Sequence, residues 1–163
     1  MTNTVSKAAI KVDDAVAQSV QKVLVDTYGL FLATHNYHWN VEGPHFSSLH
    51  LMFEEQYTEL FAAIDEIAER IRALGEYALP FEGAEIAALL KEISNPLLQA
   101  QGGEARAQLM IKNLITLNET VVASAQKAKS AAQDANDDES EDMMIARIQV
   151  HQKTLWMLKS LTQ

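Results

Sequence analysis

The stretch that decides the fold is His35–Gly75, HNYHWNVEGPHFSSLHLMFEEQYTELFAAIDEIAERIRALG. It holds four of the five histidines of the chain. From Phe46 onward its apolar residues recur at the three-and-four spacing of an amphipathic helix. They are Leu49, Phe53, Tyr57, Leu60, Ile64, Ile67, Ile71 and Leu74. This pattern predicts a helix of about 30 residues that stops at Gly75, a residue typical of helix C-terminal ends.

The residues before this stretch predict a second long helix. Apolar and small side chains follow the same period from about Ala8 to Trp39. Helix one should end near Asn40, because the Gly43–Pro44 pair cannot continue it. The short loop that remains makes helices one and two antiparallel neighbours.

The remainder of the chain predicts two further long helices and a short one. Helix three spans about Gly103 to Ala131, and helix four runs from about Ser140 to Leu161. A short helix from Gly83 to Glu92 lies in the connection between helices two and three, with Ile86, Leu89, Leu90 and Ile93 on its apolar face. We therefore predict an all-α protein, a four-helix bundle with a short extra helix in the crossover. Residues 1–163 should form one domain, with residues 1–7 as a short N-terminal tail.

The composition of the chain disfavours several classes of function. The chain has no Cys, so a metal must be held by nitrogen and oxygen ligands. No apolar run is long enough for a signal peptide or a membrane span, which makes the cytoplasm the expected location. The formal net charge of -9 disfavours general nucleic-acid binding and favours attraction of cations.

A second stripe on helix two carries titratable side chains. At about 100° per residue it lies about a third of a turn from the core stripe, so its members do not point into their own bundle. The stripe contains His50, Glu54, Asp65 and Glu69. His50 and Asp65 are roughly 22 Å apart along one helix, whereas metal–ligand bonds are about 2 Å long. One chain therefore cannot bring both residues to one ion.

A two-fold axis removes this difficulty. If two copies of helix two pack antiparallel about a point near Glu59 and Leu60, His50 faces Glu69 of the other copy and Glu54 faces Asp65. Two equivalent imidazole–carboxylate sites then form per dimer. Phe61, near the centre of the same face, would supply apolar contact.

His38 joins this site from the end of helix one, because the hairpin returns it to the neighbourhood of His50. Imidazoles with carboxylates and no sulfur suit Fe(II), Zn or Mn, and iron permits redox chemistry. His35, about one turn earlier, is a candidate auxiliary group. The structural alternative is that each histidine is a packing residue and each carboxylate part of a solvated face; the joint spacing favours the metal site.

Two segments of the hairpin resemble a known family. HWNVEGPHFSSLHLMFEEQYTEL followed by DEIAERIRALG is similar to the signature of the Dps family, the DNA-binding proteins from starved cells, also called mini-ferritins. The resemblance extends to RIQVHQKTLWML in helix four and to the short crossover helix. The intervals from His38 to His50, Glu54, Asp65 and Glu69 all fit the family's pattern.

The resemblance implies a ferritin-like fold, a dodecameric shell and a ferroxidase. Such a protein oxidises Fe(II) with hydrogen peroxide, with oxygen less favoured, and stores the ferric mineral. It implies a metal centre made of His38, His50 and Glu54 from one chain with Asp65 and Glu69 from its two-fold partner; zinc or manganese are substitute metals. The position of Glu54 carries Asp or Glu among relatives. Trp39 matches the Trp beside the family's centre, either as an electron donor or as a buried packing residue.

The family name also implies DNA binding, which this sequence does not favour. The tail MTNTVSK offers only Lys7, and the net charge is negative, so we expect DNA binding to be weak or absent. The alternative function is a nucleoid-associated protein that coats DNA with little ferroxidase activity; a third is a bundle that oligomerises without metal. Near helix four lies an acidic run that either stabilises the helix dipole or lines an iron-entry pore: Asp134, Asp137, Asp138, Glu139, Glu141 and Asp142. His151 reads as a satisfied core histidine, and His45 has no assigned role.

Overall fold

Five helices make up the part of the chain that the computed structural model describes, residues 14–79 and 83–162 without the side chains of residues 83–86. They are α1 (Ala15–Asn40), α2 (Phe46–Ala73), α3 (Gly83–Gln99), α4 (Gly103–Ala135) and α5 (Asp138–Ser160). The four long helices α1, α2, α4 and α5 form a four-helix bundle, and α3 lies in the crossover between its two hairpins. The predicted fold class is confirmed. The predicted tail, residues 1–7, lies outside the described residues.

The ends of the helices follow local capping. Asp14 is extended and its carboxylate accepts a hydrogen bond from the Ala17 amide at 2.8 Å, so the described part of α1 begins at Ala15. Helix one was predicted from Ala8, and residues 8–13 lie outside the described residues. Asn136, in the left-handed conformation with φ of 57°, ends α4 four residues later than predicted. Asp137 then caps α5, which begins two residues before the predicted Ser140.

The crossover helix α3 is longer than predicted. It continues past Glu92 to Gln99 and contains Pro96. The reason is packing, because Ile93 and Pro96 are buried and Leu97 packs on the core, so the apolar face extends beyond the predicted end. Leu90, predicted on that face, is half exposed. The helix packs against α1 and α4.

Two glycines let the α1–α2 loop approach the start of α4. A Cβ on Gly103 would lie 2.7 Å from the Glu42 Cβ and 3.1 Å from the Gly43 nitrogen, so no larger residue fits there without a shift. Gly43 has φ of 106°, a conformation that only glycine adopts readily. An ion pair between Arg106 and Glu42 at 3.0 Å closes the same contact. This contact fixes the hairpin that carries the candidate site.

Two apolar clusters fill the bundle, and a buried polar network lies between them along α5. One cluster includes Leu30, Phe53 and Leu158, and the other includes Val20 and Ile67, with Met144 on α5. His151 and Arg147 stand on α5 between Met144 and Leu158 and are at least 95% buried. The network joins α5 to both of its neighbours, α2 and α4.

Hydrogen bonds link the members of this network, although Arg147 Nε is buried without a partner. Arg147 pairs with the carboxylate of Glu59, and its Nη2 also donates to His151 Nε2 at 2.9 Å. His151 Nδ1 donates to Asn118 Oδ1 at 2.9 Å, and the Asn118 amide donates to the Leu114 carbonyl at 2.8 Å. The prediction of a satisfied core histidine is confirmed. Burial, together with the neighbouring Arg147 charge, lowers the pKa of His151 to about 3.

This shift predicts a pH-dependent stability. In the unfolded chain His151 takes up a proton below its ordinary pKa of about 6.5, whereas the folded protein holds it neutral down to about 3. The free energy of unfolding should therefore fall as pH drops below about 6.5, by roughly 2 kcal/mol between pH 7 and pH 5 from this residue alone. Denaturant titrations of wild type and His151→Gln at pH 7 and pH 5 measure this fall in the free energy of unfolding. The variant should show the smaller fall; His45→Gln, at an exposed position, should match wild type. Equal pH slopes for His151→Gln and wild type would refute the assignment.

Candidate metal centre

The α1–α2 hairpin brings His38 and His50 together. His38 lies in the last turn of α1 and is 8% exposed, and His50 lies near the start of α2 and is half-buried. The two rings stack with centroids 3.8 Å apart and an interplanar angle of 21°. The adjacency predicted from the antiparallel hairpin is confirmed.

Reciprocal hydrogen bonds fix both rings. Nδ1 of His38 lies 2.9 Å from the His50 carbonyl oxygen, and Nδ1 of His50 lies 2.8 Å from the His38 carbonyl oxygen. A carbonyl oxygen only accepts, so each Nδ1 must carry the proton. In a neutral ring the lone pair is then on Nε2. Both imidazoles are thus oriented by the backbone and present Nε2, the arrangement typical of histidines that bind a metal.

The bond from His50 also completes the end of α1. The last carbonyls of a helix have no partner within the helix, and the carbonyl of His38 is one of them. The imidazole of His50 supplies the missing donor. The same side chain therefore joins the two helices and prepares a ligand atom.

The three candidate carboxylates are exposed and uncompensated. Glu54 follows His50 by one turn, and Asp65 and Glu69 lie further along the same unbroken helix. Within the described part of the chain, no ion pair or hydrogen bond neutralises any of the three. By contrast, Glu59 and Glu42 are paired with arginines. The three acids that the spacing singled out are therefore free to bind a cation.

One chain does not assemble these groups around an ion. Among residues 14–79 and 83–162, no three His, Asp or Glu side chains stand together so as to hold a metal. The straight α2 helix keeps His50 and Asp65 roughly 22 Å apart, as its rise of about 1.5 Å per residue requires. The structure thus brings His38 and His50 together, with Glu54 one turn beyond His50. It leaves Asp65 and Glu69 at the other end of the helix.

The bundle interior offers no substitute site. Ferritin-like metal centres of the ordinary kind use Glu and Glu-x-x-His residues that point into the bundle. Among the described residues, none of the fully buried side chains is Asp or Glu. Arg147 holds the one acid that reaches the polar network, Glu59. A guanidinium therefore stands where a cation would have to bind.

Aromatic side chains surround the paired imidazoles. Trp39 is 63% exposed in the single chain, so it does not pack inside its own bundle. His35 lies between Trp39 and Tyr57, with ring centroids at 4.2 Å and 4.4 Å. Tyr57 meets the His38 ring edge-on at 5.2 Å. The sequence pattern placed Tyr57 in the core stripe and missed this contact; its position two turns after His50 was the available signal.

Within the acidic run near α5, Asp137 has a structural role. Asp137 accepts a hydrogen bond from the Ser140 amide at 3.1 Å and pairs with Arg70 of α2 at 2.6 Å. Partial burial would raise the pKa of the Asp137 carboxyl, but the Ser140 hydrogen bonds and the Arg70 charge outweigh it and hold the pKa below its usual value. The first turn of α5 also carries Asp138, Glu139 and Glu141, where negative charge stabilises the helix dipole.

Comparisons with known proteins agree with the four-helix fold. The chain matches the ferritin-like domain family over residues 17–163. It is 34% identical over 149 residues to a DNA protection during starvation protein of Brevibacillus brevis, covering 91% of this chain and 95% of that one. It is 32% identical over 145 residues to DNA protection during starvation protein 2 of Bacillus anthracis, covering 89% and 94%.

Solved structures show the same similarity in three dimensions. The crystal structure of Dps from Staphylococcus aureus superposes with a TM-score of 0.77 at 30% identity, covering 93% of this chain and 97% of that chain. Dps from Vibrio cholerae, described as a member of a broad superfamily of ferritin-like diiron-carboxylate proteins, gives a TM-score of 0.72 at 25% identity. The match covers 91% of this chain and 89% of that chain.

The tautomers of the paired imidazoles are directly measurable. In metal-free protein labelled with ¹⁵N-histidine at about pH 7.5, where an ordinary His is neutral, long-range ¹H–¹⁵N correlation spectra distinguish the two ring nitrogens. We expect His38 and His50 to be protonated at Nδ1, since each donates to a carbonyl. His45, exposed in the loop, serves as the reference for an unconstrained ring. Protonation of either paired ring at Nε2 would contradict the assignment.

Proposed function

Because this chain belongs to the Dps family of ferritin-like proteins, we propose that it is a ferroxidase and iron-storage protein whose metal centre is completed by a second copy of the chain. The observation that carries the proposal is the pair of stacked imidazoles with both Nε2 atoms available. Imidazole nitrogen with carboxylate oxygen is a ligand set that Fe(II) accepts.

Two-fold pairing of α2 supplies the missing carboxylates. With α2 antiparallel to its copy, Glu69 of the partner subunit lies opposite His50, and Asp65 of the partner subunit lies opposite Glu54. The surface that such pairing would cover is suitably apolar, because Phe61 is 68% exposed and Leu51 is 58% exposed. A contact of this kind buries both residues in two symmetric copies. The proposed ligands are therefore His38, His50 and Glu54 from one chain with Asp65 and Glu69 from the other.

Each group has a defined task in the proposed reaction. The imidazoles hold Fe(II) through Nε2, and the carboxylates favour the oxidised ion because they add negative charge. Two Fe(II) ions each give one electron to one hydrogen peroxide, which takes up two protons and leaves as two waters. This two-electron course releases no hydroxyl radical. Oxygen is the less favoured oxidant, and zinc or manganese substitute at the same ligands.

Storage requires an enclosed space, which we propose is a shell of twelve chains in the cytoplasm. The negative charge of each chain attracts Fe(II) to such a shell. The acidic residues of the α4–α5 junction that are not engaged in capping, such as Asp134 and Asp142, are candidates for an entry pore. Residues 1–163 act as one domain in this proposal.

DNA coating is the second candidate, and the names of the relatives are what favours it. The charge of this chain opposes it, since phosphate binding needs clustered Lys and Arg. We therefore propose that protection of the cell proceeds through removal of Fe(II) and peroxide, and that DNA binding is weak or absent.

Mixed assemblies test whether two chains share the centre. One variant, His50→Ala/Glu54→Ala, loses ligands of the first half, and another, Asp65→Ala/Glu69→Ala, loses the second half. Each alone should oxidise Fe(II) with peroxide at least about tenfold more slowly than wild type. Co-assembled in equal amounts, they should regain about a quarter of the wild-type rate, since half of the random dimers hold one intact centre.

Matched controls separate this outcome from a folding defect. Glu66→Ala removes an exposed carboxylate next to Asp65 and should keep the wild-type rate. Circular dichroism checks the helical content of every variant, and light scattering checks that the shell forms. A co-assembled sample as slow as its parents would show that the centre is not shared. Wild-type rates in Asp65→Ala/Glu69→Ala would remove these residues from the centre.

A further inference from the structure

A continuous series of aromatic rings runs through the candidate metal centre. The ring centroid of Trp39 lies 4.2 Å from that of His35, and His35 lies 4.4 Å from Tyr57. The series continues from Tyr57 to His38 at 5.2 Å and from His38 to His50 at 3.8 Å. Tyr57 is therefore the ring that connects the paired imidazoles to the remaining aromatic side chains.

Tyr57 shares a face of α2 with two of the proposed ligands. It follows His50 by seven residues and Glu54 by three, and these spacings place all three side chains on one side of a helix. Glu54 is exposed, whereas Tyr57 is half-buried. Successive turns of α2 therefore carry an imidazole, a carboxylate and an aromatic ring on this face.

The hydrogen bond at Nδ1 does not by itself fix the orientation of the His38 ring. Such a bond weakens steeply only when its angle at the hydrogen falls below about 120°, so it tolerates a considerable tilt of the ring. Nε2 lies on the far side of the ring from Nδ1, and a tilt therefore displaces it. A ligand atom must hold its position to within about 0.5 Å, so the ring needs a second contact.

Tyr57 supplies such a contact. Its ring meets the His38 ring edge to face, with an interplanar angle of 72°. This arrangement is favourable because the positive edge of one aromatic ring meets the negative face of the other. His50 contacts the same ring in a different orientation, stacked at an interplanar angle of 21°. Since His38 is only 8% exposed, these two contacts restrict the tilt of its ring.

Side chains of α1 hold the Tyr57 ring in turn. The His35 ring lies against it at an interplanar angle of 37°, and the Phe31 ring meets it edge-on at 6.5 Å. Phe31, His35 and Trp39 follow one another at intervals of four residues, so they form one row along α1. Neighbours in this row contact each other at 5.5 Å and 4.2 Å. The row on α1 therefore supports a ring of α2, which contacts the His38 imidazole.

We propose that Tyr57 is a positioning residue of the metal centre. Its ring, supported by His35, holds the His38 imidazole in the orientation in which Nε2 binds the metal ion. This inference rests on the proposed function, in which His38 is a ligand. The aromatic ring carries the role, so phenylalanine should replace Tyr57 and alanine should not.

Anaerobic titration of the metal-free assembly with Co(II), followed by its visible absorption, tests the proposal. Tyr57→Ala should bind Co(II) at least about tenfold more weakly than wild type, and His35→Ala about threefold more weakly. Tyr57→Phe keeps the ring and should bind within about twofold of wild type. Tyr77→Ala removes an exposed tyrosine beyond the end of α2 and should bind as wild type does.

The metal-free protein gives a second measurement that does not depend on metal binding. In ¹⁵N-histidine spectra of Tyr57→Ala, His38 should show a mixture of the Nδ1 and Nε2 tautomers, because its ring is no longer held against the carbonyl oxygen. Tyr57→Phe should keep the single Nδ1 tautomer, and His45 should be unchanged in both variants.

The outcomes separate this proposal from the proposed function. Unchanged Co(II) affinity and an unchanged His38 tautomer in Tyr57→Ala would overturn the positioning role. So would a loss in Tyr57→Phe as large as in Tyr57→Ala, because the hydroxyl group would then carry the effect. If wild type did not bind Co(II), the proposed metal centre would be contradicted, and the tautomers would still decide whether Tyr57 orients His38. If Tyr57→Ala does not fold, wild-type binding and tautomers in His35→Ala would overturn the proposal.

Discussion

The reciprocal hydrogen bonds between His38 and His50 join the end of α1 to the start of α2, and the candidate centre depends on them. Each imidazole donates to a carbonyl of the opposite helix, so the same contact positions the hairpin and both rings. The two rings stack, and the bonds at Nδ1 leave Nε2 of each ring as its free nitrogen. In the proposed centre, Fe(II) would meet preorganised nitrogen ligands, which reduces the entropy lost on binding.

The candidate metal centre lies outside the bundle because other side chains already fill the interior. A hydrogen-bonded network lies between the two apolar clusters and consists of Arg147, Glu59, His151 and Asn118. A buried guanidinium excludes a metal cation there by like charge. The three candidate carboxylates lie instead on the exposed face of α2, where the proposed second chain would pack. In the proposed function the bundle is a scaffold, and iron is oxidised at its surface.

Periodicity was sufficient to predict most of the fold, because α1, α2, α4 and α5 each bury one face at helical spacing. On α5 that face includes Arg147 and His151 as well as apolar residues. The adjacency of His38 and His50 followed from a short loop between long helices. Other features depend on tertiary contacts that a local sequence pattern does not predict. The length of α3 depends on the burial of Ile93 and Pro96. The exposure of Trp39 depends on which side of the hairpin faces solvent. Spacing alone singled out His38 and His50. Their tautomers could be assigned only from the positions of the carbonyl oxygens in the structure.

The central claim is that two chains share each iron centre, and anomalous X-ray scattering at the iron edge tests it most directly. Crystals soaked anaerobically with Fe(II) should show iron about 2 Å from Nε2 of His38 or His50, with Asp65 or Glu69 of the partner subunit also bound. Iron held by one chain alone, or iron inside the bundle beside His151, would contradict the account.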